Sequence, residues 1–192
     1  MIRGVLRQRK KLGMKGIIRI PLDFEPPKAI TDDQFFLEPL APKHNDIDYD
    51  AWHSSVNELQ GSFGPENEWP EENYSKEQNL SDLKRHYQEF LDNIAFTYTI
   101  LKPSQEQCIG CLYIRPTVIA QYDVQVDLWF RTSHKYLETP FLQWLKEWLV
   151  HEWKFSSVAF PGREITWETY NQLVAKANAE QEDSNRPADA VD

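Results

Sequence analysis

The stretch Asp123 to Arg131 alternates without a break. Val124, Val126, Leu128 and Phe130 are apolar, and Gln125, Asp127, Trp129 and Arg131 fall between them. Successive side chains of a strand point to opposite faces of a sheet, so this run predicts a β-strand with one apolar face and one face of mixed chemistry. The rest of the chain has to supply layers that cover both faces.

The segments around it do so in alternation. Gln34 to Leu40 predicts a first strand closed by Ala41-Pro42, and Asp46 to Leu59 a helix with Ile47, Ala51, Val56 and Leu59 available for burial. Ser75-Lys76-Glu77-Gln78 resembles a capping box one residue short of the ideal spacing, and a second helix is expected over Ser81 to Asn93. Ala95 to Leu101, the turn residues Lys102-Pro103-Ser104 and Gln107 to Ile114 form a hairpin. After the alternating strand, Thr139 to Trp153 carries an apolar stripe of Phe141, Leu145, Trp148 and Leu149. Ser156 to Phe160 reads as a short strand and Thr166 to Ala177 as a last helix behind the cap Thr166. The order β-α-α-β-β-β-α-β-α describes one α+β domain, with no internal repeat.

Composition narrows the class. With 41% hydrophobic residues, 7 Trp, 8 Tyr and 10 Phe the chain is not intrinsically disordered, and its apolar runs are too short to span a bilayer. A net charge of −9 argues against a general nucleic-acid binder, which needs a basic face. The charge is unevenly spread, because residues 1–19 hold Arg3, Arg7, Arg9, Lys10, Lys11, Lys15 and Arg19 and no acid. That opening reads either as a flexible start, with Met14 an alternative initiation point, or as a transit-like or nucleic-acid-touching arm. Without a secretory signal, a cytoplasmic location is expected. Residues 1–33 are therefore set apart as a basic arm, in which Gly16 to Phe24 could add one strand. Residues 34–177 form the folded domain and 178–192 an acidic, disordered tail. The acidic loop Gly64 to Asn79 is long for a compact domain, and its Trp69 and Tyr74 either peg it down or touch a ligand.

Several motifs are weak on inspection. Cys108-Ile109-Gly110-Cys111 has redox or half-zinc spacing, but on a strand positions i and i+3 face opposite ways, and no second Cys pair exists. The five His show no metal-ligand spacing, so no metal is expected. No GxSxG, P-loop or GxGxxG occurs. Trp144, Trp148 and Trp153 read as core.

The order of elements, with Phe35-Phe36-Leu37-Glu38-Pro39-Leu40-Ala41-Pro42, Phe96-Thr97-Tyr98-Thr99-Ile100, Cys108-Ile109-Gly110-Cys111-Leu112-Tyr113-Ile114 and Asp127-Leu128-Trp129-Phe130-Arg131, resembles the GNAT superfamily of acyl-CoA-dependent N-acyltransferases over Phe35 to Ala177. The resemblance implies a mixed, mostly antiparallel central sheet flanked by helices, here lacking the family's last two strands. It implies acetyl-CoA or another acyl-CoA as co-substrate, held along Leu128, Trp129, Phe130 and Arg131 and by the following Ser133, His134, Lys135, Tyr136, Leu137, Glu138, Thr139 and Pro140. The family places an Arg/Gln-x-x-Gly-x-Gly/Ala loop there, since small residues let backbone amides approach the pyrophosphate. Lys135 matches in charge, whereas Glu138 and Pro140 replace the small residues. Either the cofactor is held by Lys135, His134 and Ser133, or the site has lost it. Arg163-x-x-Thr166-x-x-x-Tyr170 matches the spacing of the family's Asn-x-x-Ser-x-x-x-Tyr phrase, making Tyr170 the candidate acid, and Asp127 falls near the family's base.

The resemblance thus implies transfer of an acyl group to a primary amine of a small molecule or peptide, and the acidic composition suits a cationic acceptor. The alternative is a catalytically inactive GNAT-fold module that binds a ligand or protein. A homodimer through the sheet edge left by the missing strands is a further expectation.

Overall fold

The computed structural model describes residues 16, 18, 20, 23–71 and 73–184. Six strands form one sheet in sequence order: β1 (Ile30–Thr31), β2 (Phe36–Pro39), β3 (Phe96–Leu101), β4 (Cys108–Arg115), β5 (Val124–Phe130) and β6 (Val158–Ala159). Pairs from β1 to β5 are antiparallel, and β5 with β6 is parallel. The helices are α1 (Asn45–His53), α2 (Val56–Leu59), α3 (Lys76–Leu91), α4 (Glu138–His151) and α5 (Trp167–Ser184).

The alternation of β5 sorts the layers. Val124, Val126, Leu128 and Phe130 enter one core with Phe141, Leu145, Trp148 and Leu149 of α4, while Trp129 enters the other with Trp52 of α1 and Leu83 of α3. Trp148 and Trp153 are buried and Trp144 stacks on Trp148 at 5.4 Å, so this set is core. A third cluster joins Tyr170 of α5 to Ile119 and Ala159.

Several boundaries differ from those expected, each for a local reason. The helix expected over Asp46 to Leu59 breaks at Ser54 and Ser55 into α1 and α2. Helix α3 begins at Lys76, five residues before Ser81, because the capping box is complete. Gln78 donates its backbone N–H to Ser75 Oγ at 3.2 Å, and Ser75 donates its own to Gln78 Oε1 at 2.7 Å. Helix α5 runs to Ser184, past the expected end at Ala177, so the first part of the acidic tail is helical. The remainder of that tail, like the basic residues 1–15, lies outside the described residues.

An edge strand is formed by Ile30–Thr31, and the described residues of Gly16 to Phe24 are not part of the sheet. Of the latter segment, Ile18, Ile20 and Phe24 pack on the core beside α4, and Ile17 and Arg19 lie outside the described residues. The cysteines of the CxxC share a face after all. The β3–β4 register shifts between Ile100 and Leu101, so that Cys108 opposes Leu101 while Gly110 opposes Ile100, and the extra residue turns Cys108 to the side of Cys111. Both thiols are free and buried, and with an oxygen of Asp48 they lie within 4.8 Å of one another. Among the described residues no strand follows α5.

Candidate functional site

Strands β5 and β6 pair at Val124 with Val158 and at Gln125 with Ala159, where β6 ends. Beyond this pairing the edge of β5 is bridged by Arg163, from the turn after β6. Its Nη2 donates to the Leu128 carbonyl at 2.7 Å and to Glu138 Oε1 at 2.9 Å, and its Nε donates to the same carboxylate at 3.1 Å. The other oxygen of Glu138 is ion-paired with Lys135. Glu138 is the first residue of α4, where a negative charge is favoured by the helix dipole. The carboxylate therefore stands where the helix start and two cations would receive an anion.

Of the residues implied as cofactor contacts, the structure gathers Leu128, Lys135 and Glu138 around Arg163. Trp129 turns to the opposite core, with Nε1 donating to Tyr113 Oη at 3.2 Å, and Phe130 and Leu137 are buried beside α4. Arg131 reaches back to α1, donating to Ser54 Oγ at 3.0 Å and pairing with Asp50 at 3.2 Å. Ser133, His134 and Tyr136 lie on a 3-10 turn (Thr132–Leu137) that runs directly into α4, with His134 stacked on Tyr136 and bonded to Ser133 at 2.9 Å. Thr139 and Pro140 are exposed in the first turn of α4.

Asp127 and Tyr170 come together through a residue that the sequence reading did not single out. Tyr170 Oη donates to Gln125 Oε1 at 2.7 Å, and Gln125 Nε2 donates to both oxygens of Asp127 at 2.9 and 3.1 Å. Asp127 is 0% exposed, and its other partner is Arg115, 3.7 Å away. Burial raises its pKa, against the pull of Arg115 and Gln125, and burial likewise raises that of Tyr170. Gln125 lies on the mixed face of β5, one alternation step from Asp127, which is the signal that could have found it.

Arg115 also forms part of the wall of a larger pocket of about 560 Å³ between α1, α3, the 61–74 loop and strands β3 to β5. Its aromatic side is built from Trp52, Phe63, Trp69, Tyr113 and Trp129, with Phe63 and Trp69 at 5.0 Å and Trp69 and Trp129 at 5.8 Å between ring centroids. Trp69 thus both pins its loop and faces the pocket, while Tyr74 donates to Asp82 on α3. The polar side is a network. Asn79 accepts from Trp52 Nε1 and donates to Asp48, each at 3.0 Å, and Cys111 donates to Asp48 at 3.3 Å. Burial raises the Asp48 pKa to about 6. His86 and Glu89 on α3 complete the lining with Asp82 and Arg85.

No family profile and no curated protein matches the chain in sequence. Solved structures do match it in shape. The ribosomal-protein-S5-alanine acetyltransferase from Vibrio fischeri aligns with a TM-score of 0.55 at 10% identity, covering 79% of this chain and 82% of that one. RimL, a ribosomal L7/L12 α-N-protein acetyltransferase in complex with coenzyme A, aligns at 0.57 and 14% identity over 78% and 82%. The microcin C7 self-immunity acetyltransferase MccE, with acetyl-CoA and AMP, aligns at 0.51 and 11% over 82% and 84%. The fold is that of the GNAT acetyltransferases. In a GNAT fold the parted strands β5 and β6 and the start of α4 are the elements that would face an acyl-CoA. The residues present fit that group by side-chain charge rather than by a glycine-rich loop. The Leu128 carbonyl beyond the β6 pairing is already taken by Arg163, and Lys135 with Arg163 outnumber the single carboxylate between them.

Proposed function

We propose that this GNAT-fold protein transfers an acyl group from an acyl-CoA to a primary amine held in the 560 Å³ pocket. The observation that carries the reading is the hydrogen-bonded chain Tyr170–Gln125–Asp127, which starts from β5 where Gln125 still pairs with β6 and is linked to the pocket wall by Arg115. Lys135 and Arg163 would hold the diphosphate and the β5 backbone at Leu128 the pantetheine. Bound there, acyl-CoA supplies the activated acyl thioester. Tyr170 keeps its proton at neutral pH, because burial disfavours the phenolate, and so holds a proton at Oη for a leaving thiolate. Asp127 does not reach the pocket. It anchors Gln125, which in turn orients the Tyr170 hydroxyl.

A second reading is favoured by Glu138. A carboxylate already bound between Lys135 and Arg163 describes a GNAT-fold module that binds a ligand without acyl transfer. Incubation with acetyl-CoA and a panel of primary amines, following release of the free CoA thiol, separates the two. Acyl transfer is expected, with a loss of about 100-fold in Tyr170→Phe. Amine binding with no thiol released from any member of the panel would establish the second reading.

A further inference from the structure

The two cysteines of β4 and Asp48 of α1 take no part in the Tyr170–Gln125–Asp127 chain or in the cluster around Arg163. All three are buried, and the two Sγ atoms and a carboxylate oxygen of Asp48 lie within 4.8 Å of one another. A zinc ion bound at about 2.3 Å to sulfur and 2.0 Å to oxygen, at tetrahedral angles, sets its ligand atoms about 3.5 to 3.8 Å apart. Cys111 Sγ and Asp48 Oδ1 are already 3.3 Å apart, joined by the thiol proton. The bulge in β4 supplies the third corner, since regular alternation would send Cys108 to the opposite face.

Neighbouring side chains hold these atoms in place. Asn79 donates to Asp48 Oδ2 and to Asn45 Oδ1 and accepts from Trp52 Nε1, each at 3.0 Å. One oxygen of the carboxylate is thereby fixed while the other faces the thiols. Thr99, itself buried, donates from Oγ1 to Cys108 Sγ at 3.5 Å, a bond that strengthens when the sulfur is a thiolate. Two soft sulfurs beside one hard oxygen suit neither a hard cation nor a purely thiophilic one, and zinc takes both kinds of ligand. We propose that Cys108, Cys111 and Asp48 bind a zinc ion, with Asn79 and Thr99 as positioning residues.

Binding balances through protons. Each thiol gives its proton to solvent, each sulfur keeps the electron pair, and two S–Zn bonds and one O–Zn bond form. The hydrogen bonds from Cys111 to Asp48, at 3.3 Å, and from Cys108 to the Gly110 carbonyl, at 3.4 Å, are lost in exchange. Two thiolates and a carboxylate exceed the charge of one zinc ion. The excess is met by Thr99 and by Arg131, whose Nη1 donates to the Cys108 carbonyl at 3.5 Å. Asp48 also borders the 560 Å³ pocket, from which a water can complete the four ligands. The cysteines alone are half a site, and the third ligand, 63 residues from Cys111 in the chain, arrives only because α1 packs on β4. The proposal goes beyond the acyl-transfer reading and does not depend on it.

The test uses the full chain, stripped of metal with a chelator and kept reduced with a phosphine, and needs no acyl-CoA. It is titrated with Zn²⁺ against a chromophoric chelator and, separately, with Co²⁺. About one equivalent of Zn²⁺ is expected to bind, with release of about two protons and a rise in the thermal midpoint. Co²⁺ is expected to give the intense near-ultraviolet charge-transfer absorption of a thiolate-bound ion. Asp48→Asn keeps both thiols and is expected to weaken Zn²⁺ binding about 100-fold, and Cys111→Ser to weaken it at least as much and to diminish the Co²⁺ absorption. Circular dichroism checks that each variant is folded. If Cys111→Ser does not fold, Asp48→Asn and the Co²⁺ spectrum of the wild type decide. The proposal is overturned if the wild type takes up neither ion, if bound Co²⁺ shows no thiolate absorption, as at a surface carboxylate, or if Asp48→Asn binds Zn²⁺ as tightly as the wild type.

Discussion

Asp48 shows how a single buried carboxyl shapes the pocket. It accepts from Asn79 and Cys111 and reaches no cation in the network described above, so burial dominates and the proton is held up to about pH 6. The unfolded chain releases the same proton near the ordinary value of 3.8. Between those two values the folded state binds more protons, so stability falls as pH rises through that window and levels off above about 6. The loss is on the order of 3 kcal/mol. Urea denaturation of wild type and Asp48→Asn is expected to show a gap that widens in favour of the variant from pH 4 to 6.5 and then stays constant. A gap independent of pH would refute the assignment. Residue positions were unevenly legible in the sequence. The neighbourhood of Tyr170 and Asp127 was reachable because one follows a phrase with fixed spacing and the other sits on a clean alternation, but Asp127, expected near a base, is bound to Gln125 and Arg115. The setting of His86 was not, since a lone histidine on a helix gives no spacing signal and its partners Glu89, Thr97 and Arg85 meet it only in space.

At the scale of elements, close approach between β4 and β5 fixes the floor of the site. Gly110 faces Phe130 across the sheet, and a Cβ there would come within 2.2 Å of the Trp129 carbonyl oxygen. Gly110→Ala is expected to lower the unfolding free energy by about 1–3 kcal/mol, and with it the denaturation midpoint, because a backbone carbonyl cannot swing aside as a side chain can. An unchanged midpoint would show that the two strands separate freely. The same strand explains why the CxxC was misjudged. Strict alternation sends its two cysteines to opposite faces, but the bulge opposite Leu101 adds a residue to the count. The start of α5 was legible at Thr166, which accepts from the Thr169 N–H at 3.1 Å, whereas α3 was expected from Ser81 although Ser75 caps it five residues earlier. The break at Ser54 and Ser55 was not, because it is imposed by tertiary contact. There Arg131 donates to Ser54 Oγ and the Thr132 N–H to Ser55 Oγ, both at 3.0 Å.

For the whole molecule, the sheet order follows the chain, so the sequence of alternating elements was enough to suggest the architecture. No described helix is long and apolar enough to cross a membrane. What order alone does not show is how the edge of β5 is covered beyond its pairing with β6. Arg163 and Glu138 are 25 residues apart and meet only because β6 and α4 converge beside Leu128. That meeting decides between an acyl-CoA site and a sealed one. Calorimetric titration of acetyl-CoA into the wild-type protein, Lys135→Ala and Glu138→Gln is the most direct measurement. Saturable binding is expected, weakened in Lys135→Ala and tightened on the order of tenfold in Glu138→Gln, where a like charge has been removed from the diphosphate position. No heat and no thermal shift with millimolar acetyl-CoA, in the wild type and in Glu138→Gln alike, would contradict acyl transfer by this fold.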